Sequence, residues 1–190
     1  MKATINGVQK DIRAVWFEDG RVMMIDQRKL PGGIVIVGFD DYLDVAEAIR
    51  NMTTRGAPSI GATAAYGMCI AALKGCDLDK AAKDIKAARP TAFDLFYAVD
   101  YMYARLKDGA DPVEAADGYA QMMVDKCTAI GKYGGQLVKD GMKLMTHCNA
   151  GALATVDVGT ALAPMRDAHS RGVDFFVYVS ETRPLSLIHI

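Results

Sequence analysis

Thr146-His147-Cys148-Asn149-Ala150-Gly151-Ala152-Leu153-Ala154-Thr155 is the stretch that decides the fold of this chain. A short apolar run at residues 143–146 leads into Cys148, and the small residues after it predict a tight turn that opens into a helix. A second apolar run, residues 173–179, is rich in β-branched and aromatic residues and predicts another strand. Such a parallel β-α-β unit places Cys148 at the carboxyl end of a strand, where open α/β sheets bind ligands. The N-terminus of the following helix would favour a thiolate and a bound anion there.

The composition is ordinary for a soluble globular protein, and its charge is balanced. Lys and Arg number 22 against 23 Asp and Glu, so we expect neither nucleic acid nor a membrane surface as a partner. The first residues lack the apolar core of a signal peptide, and the uncharged run at residues 57–73 is too short and too rich in small residues to span a bilayer. Four cysteines without a C-x-x-C pair, and only three histidines, predict a cytoplasmic protein with reduced thiols and no metal site.

Upstream of that stretch, the sequence predicts a β-hairpin and a helical bundle. Apolar runs at residues 12–17 and 21–25 flank Asp19-Gly20, a pair that favours a tight hairpin turn. A short strand at residues 34–37 and a series of helices follow, the last of which we expect to be interrupted or to end near residues 131–135. The helices are predicted to begin near Asp40 or Asp41, Pro58, Asp77 or Asp79, Thr91 and Asp111.

The predicted fold class is therefore α/β, with two units. An N-terminal β-hairpin and helical bundle occupy residues 1–135, and the start of a Rossmann-like parallel α/β domain occupies residues 136–184. Two parallel strands cannot bury both faces of their sheet, so we expect this second unit to need more chain or a partner.

Arg55-Gly56-Ala57-Pro58 is the first candidate binding segment. It precedes a helix whose first amides have no intrahelical acceptor, and a guanidinium beside such amides is suited to a phosphate group. The same residues are also typical of a structural corner in which Arg55 caps a carbonyl or pairs with a carboxylate.

Arg89 and Cys148 each have a structural alternative as well. Arg89 lies at a predicted helix C-terminus, where a cation is favourable without any function. Cys148 follows His147, but neighbouring strand residues point to opposite faces, so the two are badly placed to share a proton. A lone cysteine is also commonly a small core residue.

Together, these segments resemble a known family. The resemblance is to methylthioribose-1-phosphate isomerase, whose superfamily includes ribose-1,5-bisphosphate isomerase and the regulatory subunits of translation initiation factor 2B. It runs in order along the chain through Asp26-Gln27-Arg28-Lys29-Leu30-Pro31, Arg55-Gly56-Ala57-Pro58-Ser59-Ile60-Gly61, Ala88-Arg89-Pro90-Thr91-Ala92, Thr146-His147-Cys148-Asn149-Ala150-Gly151 and Glu181-Thr182-Arg183-Pro184.

The resemblance implies an aldose–ketose isomerase of methionine salvage, a homodimer that acts on a phosphorylated sugar without metal or organic cofactor. Cys148 matches the family's catalytic cysteine, and the substrate-binding positions match Arg55, Gly56, Ala57 and Arg89. The alternatives are ribose-1,5-bisphosphate isomerase and a non-catalytic regulatory subunit of initiation factor 2B. A generic nucleotide-binding domain is disfavoured because no G-x-G-x-x-G follows the first strand.

The end of the chain departs from the family. The family's catalytic aspartate lies beyond Pro184 and has no equivalent here, and a substrate-binding glutamine would fall at Leu187. Residues 185–190 resemble the translation of a transposon-end adapter used in sequencing libraries. We therefore predict an inactive N-terminal fragment with a non-native tail at residues 185–190.

Overall fold

The computed structural model describes residues 1–5 and 7–180. The predicted tail at residues 185–190 and the Glu181-Thr182-Arg183-Pro184 motif lie outside the described residues. The strands are β1 Lys2–Ile5, β2 Val8–Asp11, β3 Val15–Glu18, β4 Arg21–Ile25, β5 Ile36–Phe39, β6 Lys143–Thr146 and β7 Phe176–Val179. The α-helices are α1 Tyr42–Arg50, α2 Ala57–Leu73, α3 Leu78–Lys86, α4 Phe93–Lys107, α5 Pro112–Gly135 and α6 Leu162–Ser170.

The predicted hairpin is formed by β3 and β4. These strands pair antiparallel, with Val15 opposite Met24, and are joined by Asp19 and Gly20 at φ values of 49° and 76°. Both values lie in the left-handed region, as a two-residue type I′ hairpin turn requires. Strand β5 pairs antiparallel with the other edge of β4 and begins two residues later than the sequence predicted.

A further hairpin, β1–β2, precedes these strands and was not predicted. Its strands pair with Ile5 opposite Val8. The signal that predicts it is the dipeptide Asn6-Gly7 between two short runs that contain β-branched residues. Strand β2 is exposed throughout, so no buried, alternating face marked it as a strand.

The helical bundle forms around α2. Asp41, Asp77 and Asp111 cap α1, α3 and α5, each accepting a hydrogen bond from an amide in the first turn. Helix α2 is buried on all sides from Ser59 to Ala71, which explains its long uncharged run. Among the described helices, none has the length and hydropathy needed to cross a bilayer.

Helix α6 packs against the glycine-rich end of α5. The predicted end of α5 near residues 131–135 is confirmed, since the helix ends at Gly135. A Cβ atom at Gly134 would lie 2.6 Å from Cγ of Pro164, so the missing side chain allows the two helices to approach closely. This contact brings the segment after Cys148 back against the bundle.

Strands β6 and β7 form the predicted parallel pair, with Leu144 opposite Val177. The predicted helix directly after the Cys148 turn is wrong, because a single 3₁₀ turn, Ala152–Ala154, is followed by a loop up to α6. The Thr155 hydroxyl donates to the carbonyl of Asp157 and accepts from the Gly159 amide, which favours a turn over a continuing helix. Met145 and Phe176 of the pair remain largely exposed.

Candidate active site

Cys148 lies in the loop that follows β6, which we call the Cys148 loop (residues 147–161). Its backbone has a φ of +66°, a left-handed conformation that is rare for a side chain other than Gly, Asn or Asp, and its side chain is exposed. The thiol lines a cleft of about 770 Å³. The walls of the cleft also include Asp11, Asp157, Leu162, Arg166 and Val179. The sequence therefore predicted correctly that Cys148 follows the carboxyl end of a strand.

His147 contacts a different element from its neighbour. Its Nδ1 atom lies 3.0 Å from the Ser180 hydroxyl oxygen, just beyond the end of β7. The imidazole is thus hydrogen-bonded across the parallel strand pair, as expected for two adjacent residues that face opposite ways.

Gly56 is the last residue of the segment that precedes α2, which we call the Arg55 loop (residues 53–56). At Gly56 the Arg55 loop meets the Cys148 loop. The φ of Gly56 is +99°, and a Cβ atom built on it would lie 2.4 Å from Cα of Ala154. No side chain fits at this position, so glycine permits both the backbone conformation and the approach of the two loops. The structure thereby brings Arg55, Gly56 and Ala57 next to the loop that carries Cys148.

Helix α2 begins at this contact with its first amides available. Gly56 is the N-cap residue, and among the described residues no side chain caps the helix. The first intrahelical bond runs from the Ile60 amide to the Gly56 carbonyl, so the amides of Ala57 and Ser59 precede the helical ladder. A helix N-terminus of this kind attracts an anion through its amides and its dipole.

Arg55 is close enough to Cys148 for their charges to interact. Burial lowers the pKa of Arg55 from its ordinary value, and a thiolate at Cys148 opposes that change by favouring the charged guanidinium. An arginine remains protonated at any physiological pH, so the site contains a partly desolvated positive charge beside the thiol.

Arg89 lies in the turn between α3 and α4, half-buried. Within residues 1–5 and 7–180, no hydrogen bond or ion pair joins it to Cys148.

The start of α4 approaches the site at a second cavity. This cavity of about 440 Å³ is lined by Asp94, by Pro58 of α2 and by Thr160 of the Cys148 loop. Burial raises the pKa of Asp94 in this cavity, an effect that Lys126 partly offsets.

Gln27 is a site residue that the sequence did not identify. It begins the 3₁₀ turn Gln27–Lys29 after β4 and is only 2% exposed. Its side-chain Nε2 donates to the Leu153 carbonyl at 2.7 Å and to the Arg55 carbonyl at 3.4 Å. One buried amide therefore bonds to both loops of the site. The sequence signal for Gln27 was its position in the Asp26–Pro31 motif. The motif alone does not show which residues Gln27 contacts.

Comparison with known proteins relates this geometry to a family. The model of the initiation factor 2 subunit family matches residues 53–187. The methylthioribose-1-phosphate isomerase of Acetivibrio thermocellus is 41% identical, in an alignment that covers 87% of this chain and 54% of that protein. The chain spans about half the length of the curated relatives it matches.

Two solved structures are similar as well. The 5-methylthioribose 1-phosphate isomerase of Pyrococcus horikoshii OT3 gives a TM-score of 0.81 at 35% identity, covering 92% of this chain and 54% of that chain. Subunit delta of the translation initiation factor eIF-2B of A. fulgidus gives a TM-score of 0.78 at 35% identity, with coverage of 92% and 56%. Since the family match takes in most of the sequence, including both loops of the site, the chain belongs to the initiation factor 2 subunit family.

Proposed function

We propose that the protein is an aldose–ketose isomerase that converts methylthioribose 1-phosphate to methylthioribulose 1-phosphate, a reaction of methionine salvage. The observation that carries this proposal is the contact between the Arg55 loop and the Cys148 loop at Gly56 and Ala154. The contact joins the start of α2, which no described side chain caps, to the loop that carries the exposed Cys148 thiol, and Arg55 interacts electrostatically with that thiol. The names of the A. thermocellus and P. horikoshii relatives support the substrate.

In this proposal the phosphate is bound by Arg55 and by the backbone of Gly56 and Ala57, with Arg89 as a further cation. A phosphate on the anomeric oxygen prevents simple opening to a free aldehyde. The site must therefore hold the sugar rigidly, with its reacting carbons C1 and C2 next to the catalytic residue. The net reaction breaks the bond between C1 and the ring oxygen, moves a hydrogen from C2 to C1, and passes the proton of the C2 hydroxyl to the ring oxygen. Cys148 lies at these carbons as the catalytic residue, and no cofactor takes part.

The organisation of the whole protein is part of the same proposal. Residues 1–135 form an N-terminal domain, and residues 136–184 begin a Rossmann-like catalytic domain. The parallel pairing of β6 with β7 and the position of Cys148 after β6 support the second assignment. The protein acts as a cytoplasmic homodimer, and the exposed apolar side chains of Met145 and Phe176 fit a sheet that is extended or covered in the assembled protein.

A regulatory subunit of an initiation factor is the second candidate, favoured by the similarity to the A. fulgidus protein. Such a subunit binds partners and needs no turnover, so it has no need for an exposed thiol beside an arginine. Ribose-1,5-bisphosphate isomerase is the third, and it requires a second phosphate site.

The test uses the protein encoded by the complete open reading frame that contains this chain. Purified protein is incubated separately with methylthioribose 1-phosphate and ribose 1,5-bisphosphate, and ketose formation is followed by NMR. We expect conversion of the methylthio sugar alone, abolished by Cys148→Ser and retained by Cys76→Ser. A folded protein that converts neither sugar would favour the regulatory subunit and overturn the proposal.

A further inference from the structure

Gln27 contacts two segments that are far apart in sequence. Its backbone amide donates to the Thr53 carbonyl at 2.9 Å, and its side chain donates to the carbonyls of Arg55 and Leu153. Thr53 and Arg55 belong to the Arg55 loop, and Leu153 belongs to the Cys148 loop. The bond to Leu153 is short and the bond to Arg55 is long, so the stronger restraint acts on the Cys148 loop.

The chemistry of this position requires a primary amide. Both side-chain partners are carbonyl oxygens, and Nε2 of glutamine carries two hydrogens, one for each oxygen. A glutamate would bring a carboxylate against these acceptors, and a methionine of similar length would donate to neither. Buried glutamine is unusual in proteins and is tolerated here because its donors are satisfied.

The neighbours of Gln27 hold it in place. Asp26 is 2% exposed, and its carboxylate accepts from the amide and the guanidinium of Arg28, which fixes the start of the 3₁₀ turn. The Arg28 guanidinium holds the pKa of Asp26 below its usual range, so this pair stays charged at neutral pH. Gln27 therefore extends from a rigid turn toward the two loops.

We infer that Gln27 is a positioning residue, whose buried amide keeps Arg55 at a fixed place relative to Cys148 by bonding to both of the loops that carry them. The contact of Gly56 with Ala154 limits how closely the loops approach, and the amide resists their separation. The role rests on the proposed function, because it serves catalysis only if Arg55 and Cys148 act on one substrate.

The consequence to measure is the reactivity of the Cys148 thiol. The Arg55 guanidinium attracts an anionic alkylating agent toward the thiol and has little effect on a neutral one. If Arg55 moves away, we expect the rate with anionic iodoacetate to fall about threefold relative to the rate with neutral iodoacetamide. The ratio of the two rates cancels changes in the thiol itself, so it reports the charge that Arg55 supplies.

The experiment compares Gln27→Met, Arg55→Met and the double variant with the native chain. Alkylation by iodoacetate and, in parallel, by iodoacetamide is followed at pH 7 by mass spectrometry of the peptide that contains Cys148. Cys148 is already exposed, so loosening of the loops has little effect on access to it. Gln121→Met, the same substitution on the exposed face of α5, is the matched control, and urea unfolding shows that each variant is folded.

We expect Gln27→Met and Arg55→Met each to lower the ratio of the iodoacetate rate to the iodoacetamide rate about threefold, and the double variant to show nearly the ratio of either single variant. Gln121→Met should show the native ratio. The inference is overturned if folded Gln27→Met keeps the native ratio, or if Arg55→Met has the same effect with and without Gln27. Should Gln27→Met fail to fold, Gln27→Asn, whose amide is one methylene too short to reach both carbonyls, replaces it. Because the assay involves no turnover, its outcome is independent of whether the isomerase activity is found.

Discussion

Gly56 is the residue at which the two loops of the site come closest. Any larger residue there must adopt a φ of +99° and place its Cβ 2.4 Å from the backbone of Ala154. A φ of +99° with a ψ of 131° is nearly confined to glycine and costs an alanine about 1–3 kcal/mol, and overpacking against backbone costs about 1–3 kcal/mol. We therefore expect Gly56→Ala to lower the free energy of unfolding by about 2–6 kcal/mol in urea titrations.

Gly75 provides the matched control for this substitution. Its φ is +66°, and apart from its chain neighbours no described atom lies within 4 Å of the position of its Cβ, so Gly75→Ala meets the cost of a left-handed φ without a close contact. We expect it to lose about 1 kcal/mol. Equal losses for Gly56→Ala and Gly75→Ala would show that the approach of Ala154 is not what requires glycine at position 56.

The packing of α6 on α5 depends on glycines that a helix would otherwise not favour. Alanine is a better helix former than glycine by about 0.5–1 kcal/mol. At Gly134, however, the new methyl group meets the Pro164 ring, which cannot rotate away. We expect Gly134→Ala to destabilise the protein by about 1–2 kcal/mol, measured by thermal or urea unfolding.

Gly118 lies in the same helix, and its substitution by alanine should change the stability in the opposite direction. No atom lies within 4 Å of the position of its Cβ, so Gly118→Ala should stabilise the protein by about 0.5–1 kcal/mol. If Gly134→Ala were also stabilising, α6 would have to move away from α5 without cost, and the close contact between the helices would be unimportant.

The elements that the sequence predicted correctly are those specified by neighbouring residues. Asp41, Asp77 and Asp111 cap helices through amides two or three positions away, and Asp19-Gly20 closes its own hairpin. These signals are local, so they can be recognised without knowing the fold.

The course of the Cys148 loop, which the sequence missed, depends in part on a distant residue. The Cys148 loop forms no long helix, because Thr155 bonds to its own turn and Gln27 holds Leu153 from 126 residues away. The same holds for the site, since the motifs identified Arg55 and Cys148 singly. Neither pattern shows that Gly56 and Ala154 touch, which is a property of the folded chain.

Among the described residues, the main hydrophobic core cluster lies almost entirely in the first part of the chain. The core cluster extends from Val15 to Met123, and from later in the chain only Val156, among the described residues, joins it. We therefore expect a fragment of residues 1–135 to fold alone and to unfold in one cooperative thermal transition, followed by circular dichroism. A broad, non-cooperative transition would show that α6 and the Cys148 loop are needed for the bundle to form.

The central claim is that the Arg55 loop and Cys148 form one sugar-phosphate site. The most direct test is protection of Cys148 from iodoacetamide by methylthioribose 1-phosphate, in protein from the complete open reading frame. At ten times its Kd the ligand should slow alkylation of Cys148 about tenfold, because about a tenth of the protein remains free. Methylthioribose without phosphate should protect weakly, and Arg55→Met should abolish protection. Alkylation of Cys148 at an unchanged rate under saturating sugar phosphate would contradict the claim.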